Sequence, residues 1–294
     1  MVYVLYNTTS GLHYGKEKIR EKLSKAFPGE DISMESTITL EDKQSYVDVI
    51  TDKDRLVLVG GDGTLNHFIN AVEERDFPFP IYCFAAGTGN DFVHDVVGEK
   101  SDDLILINDY IRKLPVVEVN GESYKFINGI GYGIDGWACE EGDKFREKHG
   151  GAAPNYTTIA LRGLLYKFKP TNAKVTVDGV TSEYKNVWMV PSMNGRYFGG
   201  GMMVTPTQDR LNGERDISAA VVVCKSRLKL LTVFPKIFKG NHMKHTDIFK
   251  LFKGKEVSVE FDRPVALQID GETILGVTKY TAKSYAVLND TVKV

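Results

Sequence analysis

Three short segments place glycines, hydroxyls and carboxylates where they could hold a polyphosphate. The first is the apolar run Leu56–Val59 leading into Gly60-Gly61-Asp62-Gly63-Thr64-Leu65-Asn66. Glycines at the carboxyl end of a strand let backbone N–H groups approach phosphate oxygens, and a helix starting there adds the positive end of its dipole. Asp62 beside such a group would be repelled unless a cation such as Mg²⁺ lay between them. Thr64 is suited to donate to a phosphate or to cap the helix. The second segment, Ala86-Gly87-Thr88-Gly89-Asn90-Asp91-Phe92, repeats the device after the next apolar run, and the third, Asn7-Thr8-Thr9-Ser10-Gly11, comes after the apolar run Val2–Tyr6 that opens the chain, with Lys16 and Arg20 beyond it. Each also reads as an ordinary glycine turn, with Asp62 or Asp91 as a turn or capping residue. A fourth segment, Gln268-Ile269-Asp270-Gly271-Glu272, holds an Asp-Gly pair typical of hairpins. Its carboxylate gains chemical meaning only within reach of a proton to be abstracted.

The elements that must position these segments alternate in the first third of the chain. Val2–Tyr6 reads as a strand, Lys16–Phe27 as a helix with Ile19, Leu23 and Ala26/Phe27 at helical spacing, and Ser45–Thr51 as a second helix. Arg55–Val59 is a buried strand, Gly60–Thr64 the turn after it, Leu65–Glu74 a helix and Ile81–Ala85 another strand. This predicts a doubly wound parallel α/β sheet over residues 1–114. From 115 to 294 short β-like runs are separated by Asn-Gly and Asp-Gly pairs: Val116–Val119, Lys174–Val177, Val187–Val190, Ile217–Val223, Val257–Phe261 and Val265–Ile269. One helix is expected there, Thr157–Phe168. The second domain is thus β-rich, with a last strand that could return to the first domain.

Composition narrows the class. Hydrophobic content of 42% and charged content of 26% fit a soluble globular protein and not a disordered one. A formal net charge of -2 gives no whole-molecule attraction to nucleic acid. Cys83, Cys139 and Cys224 form no CxxC pair, which argues against zinc and fits a reducing compartment. The apolar start Met1–Tyr6 lacks a basic leader and reads as a strand. No apolar run approaches the roughly 20 residues of a membrane span. A cytoplasmic protein is expected, with its oligomeric state, homodimer included, left open.

Together these residues resemble the diacylglycerol kinase catalytic family, the bacterial lipid kinases related to sphingosine and ceramide kinases. The resemblance runs nearly the whole length and is carried by Gly60–Asn66, Gly87–Phe92, Phe126-Ile127-Asn128-Gly129-Ile130-Gly131-Tyr132-Gly133 and Asp270-Gly271-Glu272, in that order. It implies an α/β nucleotide-binding domain and a β-sandwich-like domain with the active site in the cleft between them. It implies ATP on Asn7, Ser10, Gly11, Gly60, Gly61, Asp62, Gly63, Thr64, Leu65, Asn66, His67 and Thr88, with Thr37 as the nearest match to a further ATP-contacting threonine. It implies Asp62 and Asp91 in an acidic Mg²⁺-linked network, and Glu272 as the base for a lipid hydroxyl attacking the γ-phosphate, most simply diacylglycerol to phosphatidic acid.

Three departures stand out. Thr8 replaces the usual proline of the first loop. Pro115 stands where the family has an aspartate. The family's structural Mg²⁺ loop here reads Asp209-Arg210-Leu211-Asn212-Gly213-Glu214, with Asn212 at the key carboxylate and Asp209, Glu214 or Asp216 as candidates to compensate. Two alternatives follow. One is a soluble-substrate kinase of the NAD kinase type, which shares the Gly60–Thr64 pentapeptide. The other is a nucleotide-binding regulatory protein whose catalysis has lapsed. The stretch 225–255 carries nine Lys/Arg against one acid, Asp247, among apolar side chains. It reads either as a connecting segment with solvated lysines or as a peripheral contact with anionic lipid on the inner face of the membrane.

Overall fold

A computed structural model describes residues 1–7, 15–87, 89–98 and 103–291. The chain divides into two compact units, Met1–Leu114 and Pro115–Val294.

The first unit is a five-stranded sheet in the order β2-β1-β3-β4-β5. Its strands are β1 (Val2–Tyr6), β2 (Ile32–Ser36), β3 (Arg55–Gly60), β4 (Ile81–Ala85) and β5 (Leu104–Leu106), and its helices α1 (Lys16–Ala26), α2 (Lys43–Asp48), α3 (Asp62–Ala71), α4 (Asp91–Val97) and α5 (Asn108–Ile111). The first four strands are parallel and β5 runs antiparallel to β4. Val2, Val4, Val57 and Val59 are buried, and α1 covers them with Ile19 and Leu23, one helical turn apart. From β1 the chain moves outward to β2, then crosses to β3 on the other side of β1. The loops after β1 and β3 therefore diverge, which is where doubly wound sheets open a crevice. Register brings Tyr6 level with Val59, and Gly60 level with Ala85. The three glycine-containing segments consequently leave the sheet at one edge.

The expected strands and helices of this unit are present, with shifted bounds. The helix α3 begins at Asp62, so Gly60–Thr64 is the end of a strand joined to the first turn of a helix. β2 escaped the sequence reading because Ile-Ser-Met-Glu-Ser is half polar, and β5 because it has three residues.

In the second unit ten strands share one sheet. Strand Glu256–Ile269 pairs at one end with Gly129–Tyr132 and at the other with Thr171–Val177. Ser192–Met193, Ile217–Val223 and Val180–Met189 complete a ring between those two partners. The runs at 257–261 and 265–269 thus belong to one strand with a bulged register. The last strand, Glu272–Lys283, pairs with Glu256–Ile269 and Val116–Val119 inside this sheet and does not return to the first. The ring encloses a core in which each large aromatic keeps its polar tip bonded. Tyr132 Oη donates to the Val277 carbonyl at 2.6 Å, Tyr280 Oη to Val190 at 3.1 Å and Trp188 Nε1 to Cys224 at 2.8 Å.

The longest helix of this unit, Ile134–Lys148, has no counterpart in the sequence reading. Its buried face is Ile134, Gly136, Ala138 and Gly142, too small to give an apolar period. The smallness has a cause: a Cβ on Gly136 would lie 2.1 Å from the Ala266 carbonyl, so only glycine lets the helix backbone meet the strand. The helix expected at Thr157–Phe168 is α-helical over Tyr156–Arg162 and widens into a π turn at Gly163–Lys167. The Arg227 guanidinium holds that wide turn by donating to the carbonyls of Leu164 (2.9 Å) and Phe168 (2.7 Å). The stretch 225–255 is therefore folded structure: helix Arg227–Val233, two 3-10 turns and strand Phe249–Gly254, with Leu230, Val233 and Ile237 buried. Cys83 is a buried core residue and Cys139 a half-buried one, and burial pushes both thiols up to about 12, away from the thiolate form.

Asp135, in the first turn of the long helix, has its carboxylate oxygens sealed from solvent. Burial pushes its carboxyl up to about 6, against the smaller opposing pull of the Gln268 amide and nearby backbone N–H groups. A folded-state pKa above the unfolded one means that the fold favours the protonated acid. That contribution is complete below pH ~4 and is lost as pH rises through about 6, a change on the order of 3 kcal/mol. In urea titrations, Asp135→Asn should gain on the parent by about this much between pH 4 and pH 7. A stability difference that stays constant over that range would mean the carboxyl titrates normally.

Candidate active site

Asp62 opens α3, and its carboxylate reaches across to the start of α4. Oδ2 accepts from Asp91 N–H at 2.9 Å and Oδ1 from Phe92 N–H at 3.0 Å. One side chain thus caps a neighbouring helix and ties the two glycine-rich segments together. Three glycines permit the approach. A Cβ on Gly87 would lie 2.5 Å from Gly61 Cα, and one on Gly60 would lie 2.1 Å from Thr64 Oγ1. Gly63, by contrast, faces open space. Asn90 adopts the left-handed conformation (φ 49°) and closes its own loop, donating to Gly87 O at 2.7 Å and accepting from Gly87 N–H at 3.2 Å.

Around this junction the structure brings together several of the expected residues. Asn7 Nδ2 lies 3.5 Å from Thr64 Oγ1, and Asn7 N–H donates to Val59 O at 3.0 Å. Thr37 sits at the end of β2 and donates its N–H to Tyr6 O at 2.9 Å, which sets it beside the end of β1. Leu65 and Asn66 are buried and Asp91 is 4% exposed, whereas His67 lies on the exposed face of α3. Ser10, Gly11 and Thr88 lie outside the described residues.

In the second unit Asp270 has a role that its Asp-Gly context hid. The turn is a left-handed pair, Asp270 at φ 48° and Gly271 at φ 101°. The Asp270 carboxylate accepts three backbone N–H bonds, from Ile127 (2.6 Å), Asn128 (2.8 Å) and Gly129 (2.9 Å). It thereby fastens Phe126–Gly129 to the turn that carries Glu272. Gln268 Oε1 accepts from Gly271 N–H at 2.6 Å and holds the turn from the other side. Glu272 itself is exposed at the head of its strand. The nearness of Asp270 to the earlier motif could have been suspected only by pairing two segments about 140 residues apart.

In the loop Asp209–Glu214 the candidate cation ligands are bonded to groups of the protein itself. Asp209 Oδ1 accepts from Leu211 N–H at 2.9 Å, and Glu214 pairs with Lys255 at 2.8 Å. Asn212 spends its amide inside the loop, and Arg210 is buried with its guanidinium on Ile127 O and on Asn128 Oδ1. Among the described residues no group of three or more His, Cys, Asp or Glu side chains is placed to hold a metal ion. Asp209, Asn212 and Glu214 thus each have a protein partner, the Glu214–Lys255 pair being an exposed one. Pro115, in place of an aspartate, is buried and accepts Phe126 N–H on its carbonyl at 3.2 Å.

Removing the Asp62 carboxylate strands two N–H groups at the start of α4. Asp62→Ala should lower stability on the order of 2 kcal/mol in urea unfolding, and Asp62→Asn, which keeps one acceptor oxygen, by about half as much. An unchanged Asp62→Ala midpoint would show that the tie carries no weight.

Comparison with known proteins agrees with this architecture. Residues 1–119 match the diacylglycerol kinase catalytic domain, and residues 128–287 the YegS C-terminal NAD kinase beta sandwich-like domain. A diacylglycerol kinase of Mycobacterium tuberculosis is 27% identical over 214 residues, covering 70% of this chain and 67% of that one. A Bacillus subtilis protein provisionally named lipid kinase YtlR is 25% identical over 250 residues, covering 78% and 77%. A crystal structure of a Bacillus anthracis diacylglycerol kinase superposes with a TM-score of 0.64 over 97% of this chain and 94% of that one, at 19% identity, a likeness of fold. With both halves matched in order, the chain belongs to the bacterial lipid kinase family built on the diacylglycerol kinase catalytic domain.

Proposed function

We propose that this chain is an ATP-dependent kinase that transfers the γ-phosphate to the hydroxyl of a membrane lipid, diacylglycerol being the simplest. The observation that supports it most is the junction of Gly61 with Gly87 under the Asp62 carboxylate. It fixes two glycine-rich segments and the start of α3 at one edge of a doubly wound sheet, where phosphates bind by backbone N–H and helix dipole. Asn7 and Thr64 offer side-chain donors at the same edge, and Thr37 stands beside them. Mg²⁺ arriving with the nucleotide would neutralise phosphate charge. Asp62 and Asp91 are the carboxylates suited to face it. Each Asp62 oxygen keeps one lone pair beyond its N–H bond, enough to accept from a metal-bound water. Glu272 takes the proton of the attacking hydroxyl. Its turn is held by Asp270 and Gln268, so the exposed carboxylate starts from a fixed backbone.

The test is phosphate transfer from labelled ATP to a panel of diacylglycerol, sphingoid bases, other lipids and NAD. Diacylglycerol should be labelled, and Glu272→Gln should lower the rate about 10²- to 10⁴-fold while ATP binding by calorimetry is unchanged. Wild-type rates from Glu272→Gln would remove it as the base. Labelling of NAD alone would favour the soluble-substrate reading suggested by the name of the family matched over 128–287. ATP binding without any transfer would favour a lapsed enzyme, the reading motivated by Pro115 and Asn212.

The proposed substrate stays in a bilayer, and the basic segment supplies a means of reaching it. Leu228 is 77% and Phe238 50% exposed, among Lys225, Lys236 and Lys239. Exposed apolar side chains interspersed in sequence with exposed lysines suit the anionic inner face of a membrane. The protein should sediment with vesicles rich in phosphatidylglycerol and not with phosphatidylcholine alone, and Leu228→Glu with Phe238→Glu should weaken this at least about tenfold. Equal binding by parent and double variant would rule the segment out. Among the described residues no helix is long and apolar enough to cross a membrane.

A further inference from the structure

We infer that the side-chain amide of Asn212 closes the loop 209–216 in place of a cation, so that this loop holds its shape without a divalent metal. The inference is independent of the kinase reading. Asn212 Nδ2 donates to Asp209 O at 2.6 Å and lies 3.4 Å from Asp216 O, while Oδ1 accepts from Asp216 N–H at 3.0 Å. One amide therefore bridges two carbonyls and one N–H across the loop's mouth. Its backbone adds two bonds: Asn212 N–H to Asp209 O at 3.3 Å, and Arg215 N–H to Asn212 O at 2.9 Å. Gln208 Nε2 also donates to Asp216 O, at 2.8 Å, and is itself anchored by Ser218 Oγ at 2.6 Å.

Two convergent carbonyls are what a hard divalent cation would take as ligands. Here N–H donors already serve them. The carboxylates of the loop already have partners of their own: Asp209 Oδ1 accepts from Leu211 N–H, Glu214 pairs with Lys255, and Asp216 lies 3.9 Å from Lys253. The amide group is electropositive at its NH₂ end, so it meets the carbonyls with the right polarity at no net charge. A carboxylate has acceptors only. The nearly isosteric Asn212→Asp would set an oxygen where Nδ2 now lies, 2.6 Å from the Asp209 carbonyl. Relief would then require a cation between the carboxylate and the two carbonyls.

Thermal unfolding of the full chain, free of nucleotide, in chelator and in millimolar Mg²⁺ tests this. The parent midpoint should be the same in both. Asn212→Asp should melt about 3–6 °C lower in chelator and recover most of the loss in Mg²⁺, by the usual conversion of one or two lost hydrogen bonds into a midpoint shift. Asn212→Ala should fall similarly and gain nothing from Mg²⁺, and this pair of measurements stands if the Asp variant fails to fold. A parent midpoint that drops in chelator and returns with Mg²⁺ would overturn the inference. So would an Asp variant as stable as the parent in both buffers, or an Ala variant that loses nothing.

Discussion

The candidate site depends on one carboxylate taking two backbone N–H groups. Asp62 belongs to the first turn of α3, yet its bonds go to the first two residues of α4. Without that cap the start of α4 would present N–H groups with no intrahelical partner. With it, α4 is fixed relative to β3, and Gly87 is pressed against Gly61. The glycines at 61 and 87 are then a consequence of the tie, since a side chain at either would push apart what Asp62 joins, while Gly60 makes room for Thr64. Expected from its type alone to face Mg²⁺, Asp62 is first a structural staple, and any part it plays beside a nucleotide is played from a side chain already held at both oxygens.

The second unit uses the same interaction for the same end. Asp270 gathers the N–H groups of 127, 128 and 129, and so joins the glycine-rich run to the turn carrying Glu272. In both units a distant aspartate organises a glycine-rich segment, and in both the aspartate stands beside a glycine. This explains why the four motifs occur together in the chain. They form two fastened pairs, and changing the carboxylate of a pair releases the backbone of the other member.

The parallel sheet of the first unit was legible because β1, β3 and β4 are largely continuous apolar runs, the last two leading directly into glycine-containing turns. Ile32–Ser36 was not, since its edge position lets alternate residues stay polar, and Leu104–Leu106 is too short to carry a pattern. In the second unit hairpin punctuation marked the strands, while the helix Ile134–Lys148 stayed hidden because it packs by the absence of side chains at Gly136 and Gly142. For the site, residue types at strand ends were sufficient to find Gly60–Thr64 and Gly87–Asp91. What they could not reveal is where the carboxylates point. Asp62 and Asp270 bond to residues far away in sequence, and an Asp-Gly pair looks alike whether it shapes a hairpin or anchors another segment.

The choice between aspartate and asparagine follows the polarity of what has to be held. At three places where two or more N–H groups converge the side chain is an aspartate: Asp62, Asp270, and also Asp178, whose Oδ1 accepts from Lys255 and Glu256 N–H, both at 2.8 Å. Where a carbonyl must be held as well the chain uses asparagine. Asn90 holds both polar groups of Gly87, and Asn108 takes Ile81 N–H at 2.8 Å and Phe79 O at 2.9 Å. Asn212, with two carbonyls and one N–H before it, belongs to the second class. A carboxylate has no hydrogen to offer a carbonyl at neutral pH, and an amide wastes its NH₂ on a cluster of N–H groups. Asn212 is thus the residue that its surroundings demand of a loop closed by hydrogen bonds, just as an aspartate there would be demanded by a loop closed by a metal.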